Sequence, residues 1–340
     1  MFNSYSRKFW GAGLVMSAIM AGVSACSLHK PSTGDIISTR ELARHDFPYP
    51  SNYAKVLGSK MHFVDTGGDK DPILMLHGQP TWSYLWRDVI PELEKDHRVI
   101  ALDLIGFGKS DKPDISYTVE DHAKYLNEFI QTLELNNITL VIHDWGSFLG
   151  FDFAAQHPDK IKAIAFMESV VPSDGKDYPD SPNKPIMDNF FQILTEIKTP
   201  GVGEKMILED NFFIEELLLS VPGLSEDEKN AYREPFANGK NRLPMLQFPR
   251  QISFDGVEPK YVVAGNQLIE SYLKTTPVPK LMLTFTPGAI VGDSNIQWAK
   301  NHMSNLQLTH IGEGVHFVQE THPKAIGQTI NQWMEANDLD

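Results

Sequence analysis

At 340 residues, the chain can bury one large core, or a core carrying an insertion. Its 41% hydrophobic and 22% charged residues are ordinary for a soluble enzyme. A formal net charge of −14 without any basic block argues against a nucleic-acid partner, and a single cysteine, Cys26, excludes an intrachain disulfide.

The chain opens with a basic pair, Arg7 and Lys8, and an uncharged apolar run from Phe9 to Ala25. Val23-Ser24-Ala25-Cys26 follows, so residues 1–25 read as a bacterial export signal. The pattern resembles a lipoprotein signal in which Cys26 is lipidated, giving a periplasmic or outer-membrane protein held by an N-terminal lipid anchor. Ordinary signal cleavage and an uncleaved anchor are the other readings. Residues 26–43 form a polar tether.

The segments 60–66 and 72–77 read as apolar strands around the turn sequence GGDKD, and 98–104 as a third. Residues 118–135 have helical apolar spacing behind a Thr118 cap and an acidic first turn. A buried strand at 139–144, a helix from Trp145 ending before Pro158 and a strand at 162–168 follow. Alternating helices and continuously apolar strands imply a mostly parallel sheet with helices on both faces, an α/β architecture. From 169 to 256 prolines and aromatics are dense and strand alternation stops, which predicts a helical cap inserted into the sheet. Strands resume at 279–286 and 306–312, and a helix over 323–336 closes the chain. The core is thus predicted at 44–168 and 257–340.

No cofactor or metal pattern survives inspection. CxxC and HExxH are absent. The Gly106-x-Gly108 pair meets Asp111 where a third glycine belongs, and GKS at 108–110 lacks the upstream phosphate-loop glycine, since Asp103 stands there.

The chemistry concentrates in VIHDWGSFLG, 141–150. It reads as the strand-to-helix turn that carries the nucleophile of an α/β-hydrolase, with Asp144 at the apex and Gly146 two residues on, although Ile142 stands where the pattern's first glycine belongs. Ser147 does not restore a serine nucleophile, because Trp145 and Leu149 occupy the positions its flanking glycines would need. A carboxylate is ionised at neutral pH and needs no base to attack. It suits displacement at a saturated carbon bearing a good leaving group and yields an alkyl ester. Hydrolysis of that ester does require a base, expected on a loop after the last strand, where His316 lies in GEGVHFVQE. An acid should orient the imidazole. Glu168, at the C-terminal tip of the strand after the elbow, is preferred to Asp293 in VGDSN.

HGQPTWSYLWR (77–87), DLIGFGKSDKP (103–113), VIHDWGS (141–147), FMES (166–169), TPGAI (286–290) and GEGVHFVQE (312–320), in that order, resemble the haloalkane dehalogenases from about residue 45 to the C-terminus. The resemblance implies Asp144 as nucleophile, His316 as base and Glu168 as acid. It implies a small apolar halogenated substrate, water as co-substrate and no cofactor. Trp145 and the residue at position 79 would hold the halide through side-chain N–H groups, and the backbone N–H groups of Gln79 and Trp145 would form the oxyanion hole. The family branch with a glutamate acid usually has asparagine in H-G-N-P; this chain has Gln79, an amide one methylene longer. Trp82 echoes the sister motif H-G-E-P-T-W, whose second donor is a cap tryptophan, but residues 169–256 contain none.

Other functions share the scaffold. An epoxide hydrolase needs two cap tyrosines; Tyr178 and Tyr232 stand in the cap but in no recognisable pattern, and Trp145 would have no evident job in that chemistry. Coelenterazine-using luciferases resemble the same branch, including EKMILEDNFF at 204–213. A non-catalytic surface lipoprotein would have no need of a complete Asp–Glu–His set. Phe190, Phe191, Phe212 and Phe213 could line a pocket or simply pack the cap. His77 and His143 read as structural hydrogen-bonding groups, and Asp103 as a loop anchor.

Overall fold

The structure, a computed structural model, describes residues 47–176, 178–252 and 259–339. The export signal, the tether, Cys26 and the core boundaries at 44 and 257 lie outside the described residues.

Eight strands form one sheet in the order β1-β2-β4-β3-β5-β6-β7-β8. They are β1 (Asn52–Val56), β2 (Ser59–Asp65), β3 (Pro72–Leu76), β4 (Arg98–Leu102), β5 (Ile138–Asp144), β6 (Ile161–Ser169), β7 (Lys280–Pro287) and β8 (Leu306–Gly314). β1, β2 and β4 pair antiparallel, whereas every pairing from β4 onwards to β8 is parallel. The first hairpin is absent from the periodicity reading, because NYAKV is too short and polar to announce a strand. It is made by a two-residue turn in which Leu57 and Gly58 both take positive φ, 48° and 86°. That geometry matches the strands' right-handed twist.

The longer helices are α1 (Val119–Thr132), α2 (Trp145–Gln156), α3 (Lys184–Lys198), α4 (Glu226–Arg233), α5 (Leu243–Arg250), α6 (Lys260–Thr275), α7 (Asp293–His302) and α8 (Pro323–Ala336). Thr118 caps α1 reciprocally with Asp121, as the Thr-x-x-Asp spacing requires. α6 is a second element not legible in the sequence: its first turn has neither an N-cap side chain nor an acidic residue.

Alternation along the strands divides the core in two. Leu74, Leu76, Leu140, Ile142, Ile164 and Phe166 join the cluster that includes Phe129 of α1 and Phe151 of α2. Their neighbours Ile73, Met75, Val141, Ala163, Ala165 and Met167 pack with Ile326, Ile330 and Trp333 of α8. Both faces of the sheet are therefore covered, the condition under which parallel strands read as unbroken apolar runs. Between β6 and β7 the described residues are helical or irregular, including α3, α4 and α5, and α6 completes the connection. The fold is that of an α/β hydrolase with a largely helical insertion.

Candidate active site

The parallel strands end together, and their C-terminal tips carry the reactive side chains. β5 ends at Asp144 and α2 begins at Trp145, with no intervening loop. The turn forces Asp144 to φ 49° and ψ −129°. Such a backbone costs on the order of 1–3 kcal/mol and persists where its surroundings over-determine it. Here those surroundings are glycines. A Cβ on Gly146 would lie 2.3 Å from the Leu76 carbonyl oxygen and 2.4 Å from that of His77. A Cβ on Gly78 would lie 2.0 Å from Asp144 Oδ1. Only hydrogen fits at either position, so the carboxylate sits directly against the backbone that follows β3.

Both carboxylate oxygens of Asp144 are engaged. Oδ1 accepts from the backbone N–H of Gln79 at 2.7 Å, and Oδ2 lies 3.5 Å from His316 Nε2. Burial alone would raise the Asp144 pKa, but the His316 ring, His143 and the Trp145 backbone N–H outweigh it and hold the group below the ordinary carboxylate range. His316 stands two residues beyond β8. Its Nδ1 lies 3.3 Å from Glu168 Oε2, so the ring spans the two acids. Burial pulls the imidazole pKa down, but hydrogen bonds and charge from Asp144 and Glu168 raise it to about 9. Glu168 Oε2 also accepts from the backbone N–H groups of Ala289 and Ile290, both at 2.9 Å. These donors come from TPGAI, which ties the loop after β7 to the acid.

Asp293 opens α7, and no hydrogen bond or ion pair joins it to His316 among the described residues. Two further contacts hold the three residues in register, one from Ser147, a role sequence reasoning missed, and one from His143, which the sequence analysis reads as a hydrogen-bonding group. Ser147 Oγ donates to the Asp144 carbonyl and accepts from the Val170 N–H at 2.8 Å, linking the elbow to the end of β6. His143 Nε2 bonds the His316 carbonyl oxygen at 3.0 Å, and burial together with the His316 charge drives its own pKa down to about 3. Ser147 was legible only as a failed nucleophile, and a histidine before the elbow does not reveal its partner.

Other residues behave as ordinary scaffold. His77 Nε2 accepts from the Leu104 N–H at 3.0 Å, leaving Nδ1–H to donate to the Gly78 carbonyl at 2.8 Å. Asp103 accepts from the backbone N–H groups of Ser83 (2.7 Å) and Lys109 (2.8 Å) and from His62 Nδ1 (2.8 Å).

A cavity of about 530 Å³ opens above Asp144. Gln79, Trp145 and His316 border it beside Asp144, and its walls are mainly apolar, with Phe190, Phe191 and Phe213 from the cap. Phe212 does not reach it. Trp145 stacks on Phe248 of α5 with centroids 4.7 Å apart, so a cap side chain sets the plane of its indole. Trp82 stacks on Tyr84 and does not border the cavity. No tyrosine borders the cavity among the described residues. Tyr178 donates to Asp174 at 2.8 Å, and Tyr232 is fully buried on Glu320. The pair of cap donors that an epoxide hydrolase requires is therefore missing from the cavity wall. The cavity is large enough to receive a small apolar molecule, with Gln79, Asp144, Trp145 and His316 on its border.

Residues 71–196 match the family described as alpha/beta hydrolase fold. The chain is 37% identical to the haloalkane dehalogenase of Mesorhizobium japonicum over 281 residues, which cover 82% of this chain and 89% of that protein. It is 39% identical to the haloalkane dehalogenase of Sphingobium indicum, covering 82% and 93%. The crystal structure of haloalkane dehalogenase DbeA from Bradyrhizobium elkani superimposes with a TM-score of 0.78 at 36% identity, covering 84% of this chain and 98% of that one.

Proposed function

The chain belongs to the haloalkane dehalogenase family, hydrolases acting on carbon–halide bonds, and from that premise we propose that it converts haloalkanes to alcohol and halide through an alkyl ester on Asp144. The observation that carries this reading is the carboxylate at the strained elbow, with a backbone donor on one oxygen and His316 at the other. Asp144 displaces the halide at a saturated carbon, and the departing anion is received by the side-chain N–H groups of Gln79 and Trp145. Esterification removes the negative charge that held the His316 proton. The ring's proton affinity then falls and its proton passes to solvent; neutral His316 takes a proton from the water that attacks the ester carbonyl and returns it to the alkoxy oxygen as the acyl C–O bond breaks and the alcohol leaves. Glu168 keeps Nδ1–H directed at itself and leaves Nε2 facing the water. The backbone N–H groups of Gln79 and Trp145 stabilise the resulting oxyanion.

Purified protein incubated with a panel of bromo- and chloroalkanes is expected to release halide and alcohol in equal amounts, read by ion chromatography and gas chromatography. Coelenterazine is expected to give no light above a protein-free blank. Light without halide release from any member of the panel would replace this reading with the luciferase-like one.

Export and lipidation at Cys26 belong to the same proposal, and their support lies in the sequence of residues 1–26. Among the described residues no helix is long and apolar enough to cross a membrane. Cys26→Ser is expected to move the protein from the membrane fraction to the soluble fraction of an expressing bacterium, with loss of incorporated palmitate. Wild-type protein that is soluble and unlabelled would refute the anchor.

A further inference from the structure

Away from the cavity wall lies a buried cluster of charge that the chemistry does not use. Arg87 follows the short helix Ser83–Trp86, on the same loop that carries Gln79. Its side chain is 4% exposed. Nη1 and Nη2 each donate to a different oxygen of Glu320 at 2.6 Å, a two-pronged pair, and Nη2 donates to Glu228 at 3.0 Å. Nε lies 3.4 Å from Asp88, and the guanidinium carbon sits 4.3 Å from the Tyr84 ring centroid. Tyr232 donates to the same Glu320 oxygen that Arg87 Nη1 contacts, and its hydroxyl accepts from Nη1 at 3.5 Å. Three carboxylates thus surround one cation: Glu320 and Glu228 nearly fully buried, Asp88 less so.

The partners come from three separate parts of the chain. Glu320 is in the short helix Val318–Thr321, four residues after His316. Glu228 and Tyr232 are in cap helix α4. Glu228 also accepts from the Ser225 N–H at 2.7 Å, so it closes the first turn of α4 and holds Arg87 with the same carboxylate. A buried ion pair need not stabilise a fold relative to apolar replacements, and its better-attested effect is to select one arrangement. Here a single guanidinium can satisfy all its partners only when the Gln79 loop, the His316 loop and the cap are in one relative position.

We infer that Arg87 is a positioning residue, a latch whose Glu320 arm fixes the His316 loop for ester hydrolysis and whose Glu228 arm seats the cap over the cavity. The inference rests on the two-step reading above. It predicts that the arms act on different steps. Displacement at Asp144 needs no base, so loosening the His316 loop slows only the second step. Loosening α4 alters how the substrate is held.

The test is rapid-quench kinetics with 1-bromohexane, following halide, alcohol and alkylated protein mass. In Glu320→Gln the halide burst is expected to keep its rate, while ester hydrolysis slows by about tenfold or more, since misplacing a reacting group by about 1 Å can cost a hundredfold. Glu228→Gln is expected to leave ester hydrolysis unchanged and raise KM. Wild-type ester hydrolysis in folded Glu320→Gln protein, or equal slowing of both steps, overturns the Glu320 arm. An unchanged KM in Glu228→Gln overturns the cap arm. If Glu320→Gln fails to fold, Glu320→Asp, which keeps a carboxylate beside Arg87 on an arm one methylene shorter, is held to the same criterion. If no alkyl ester ever forms, even in His316→Phe protein, the nucleophile reading fails and the latch falls with it. An ester that forms but is hydrolysed normally in the Glu320 variant sinks the latch alone.

Discussion

His316→Phe protein mixed with a bromoalkane is expected to release the halide of a single turnover and then stop, with an alkyl group retained on Asp144. In the proposed mechanism displacement draws only on the carboxylate, which its neighbours hold below the ordinary carboxylate range. Hydrolysis draws on the imidazole, and removing a general base typically slows the step it serves by about 10²–10⁴-fold. Intact-protein mass should show the adduct, and peptide mapping should place it in the segment containing Asp144. In wild-type protein, a single turnover in heavy-oxygen water should put the label into Asp144 and leave the first alcohol unlabelled, because water attacks the ester carbonyl and not the alkyl carbon. Label in the first alcohol, with no adduct in the His316 variant, would remove Asp144 from the role of nucleophile. The pH dependence has a definite sign. In the resting enzyme His316 stays protonated until pH passes about 9. In the ester the Asp144 charge is gone, so the hydrolysis step should acquire its neutral base at a lower pH than that. The same raised pKa makes the folded state bind its proton more tightly than the unfolded chain does. The resulting stability is fully present below the ordinary histidine pKa of about 6.5 and is lost as pH climbs through about 9.

Gln79→Ala is expected to slow displacement by about a hundredfold, the usual loss when one donor to a developing anion is deleted. Position 79 carries two distinct donors. Its backbone N–H already contacts Asp144 Oδ1 and would serve the ester's oxyanion, whereas its side chain belongs to a residue bordering the cavity and would receive the halide in the proposed mechanism. Alanine deletes the second donor and keeps the first. The halide burst should therefore slow while ester hydrolysis stays near the wild-type rate. Gln79→Asn, which retains an amide on a shorter arm, should keep displacement fast. Unchanged burst rates in the alanine variant, under conditions where chemistry limits the burst, would leave Trp145 as the sole side-chain donor to the halide.

The elements that position the site were readable because parallel strands buried on both faces must be continuously apolar. The runs at 72–76, 98–102, 138–144 and 161–169 are of that kind, and the last two end at or beside Asp144 and Glu168, which the sequence analysis names as nucleophile and acid. Elements with weaker local demands were not readable. β1 owes its existence to pairing with β2, and α6 to packing such as that of Gly265 against Phe148.

The sequence by itself determined the residue types and their order: a carboxylate at the elbow, an acid at the next strand tip, a histidine after the last strand. It also determined that glutamine stands at position 79 and that the cap lacks tryptophan. The tertiary structure adds the distance that the preference for Glu168 over Asp293 lacked: Glu168 lies 3.3 Å from the imidazole, whereas Asp293 opens α7. It alone removed Tyr232 from the cavity and put it on Glu320, inside the cluster that Arg87 organises. The physical reason is one of range. Periodicity and turn chemistry act over a few residues and leave a local signature, whereas the contacts that orient His316 and seat the cap join residues more than a hundred positions apart.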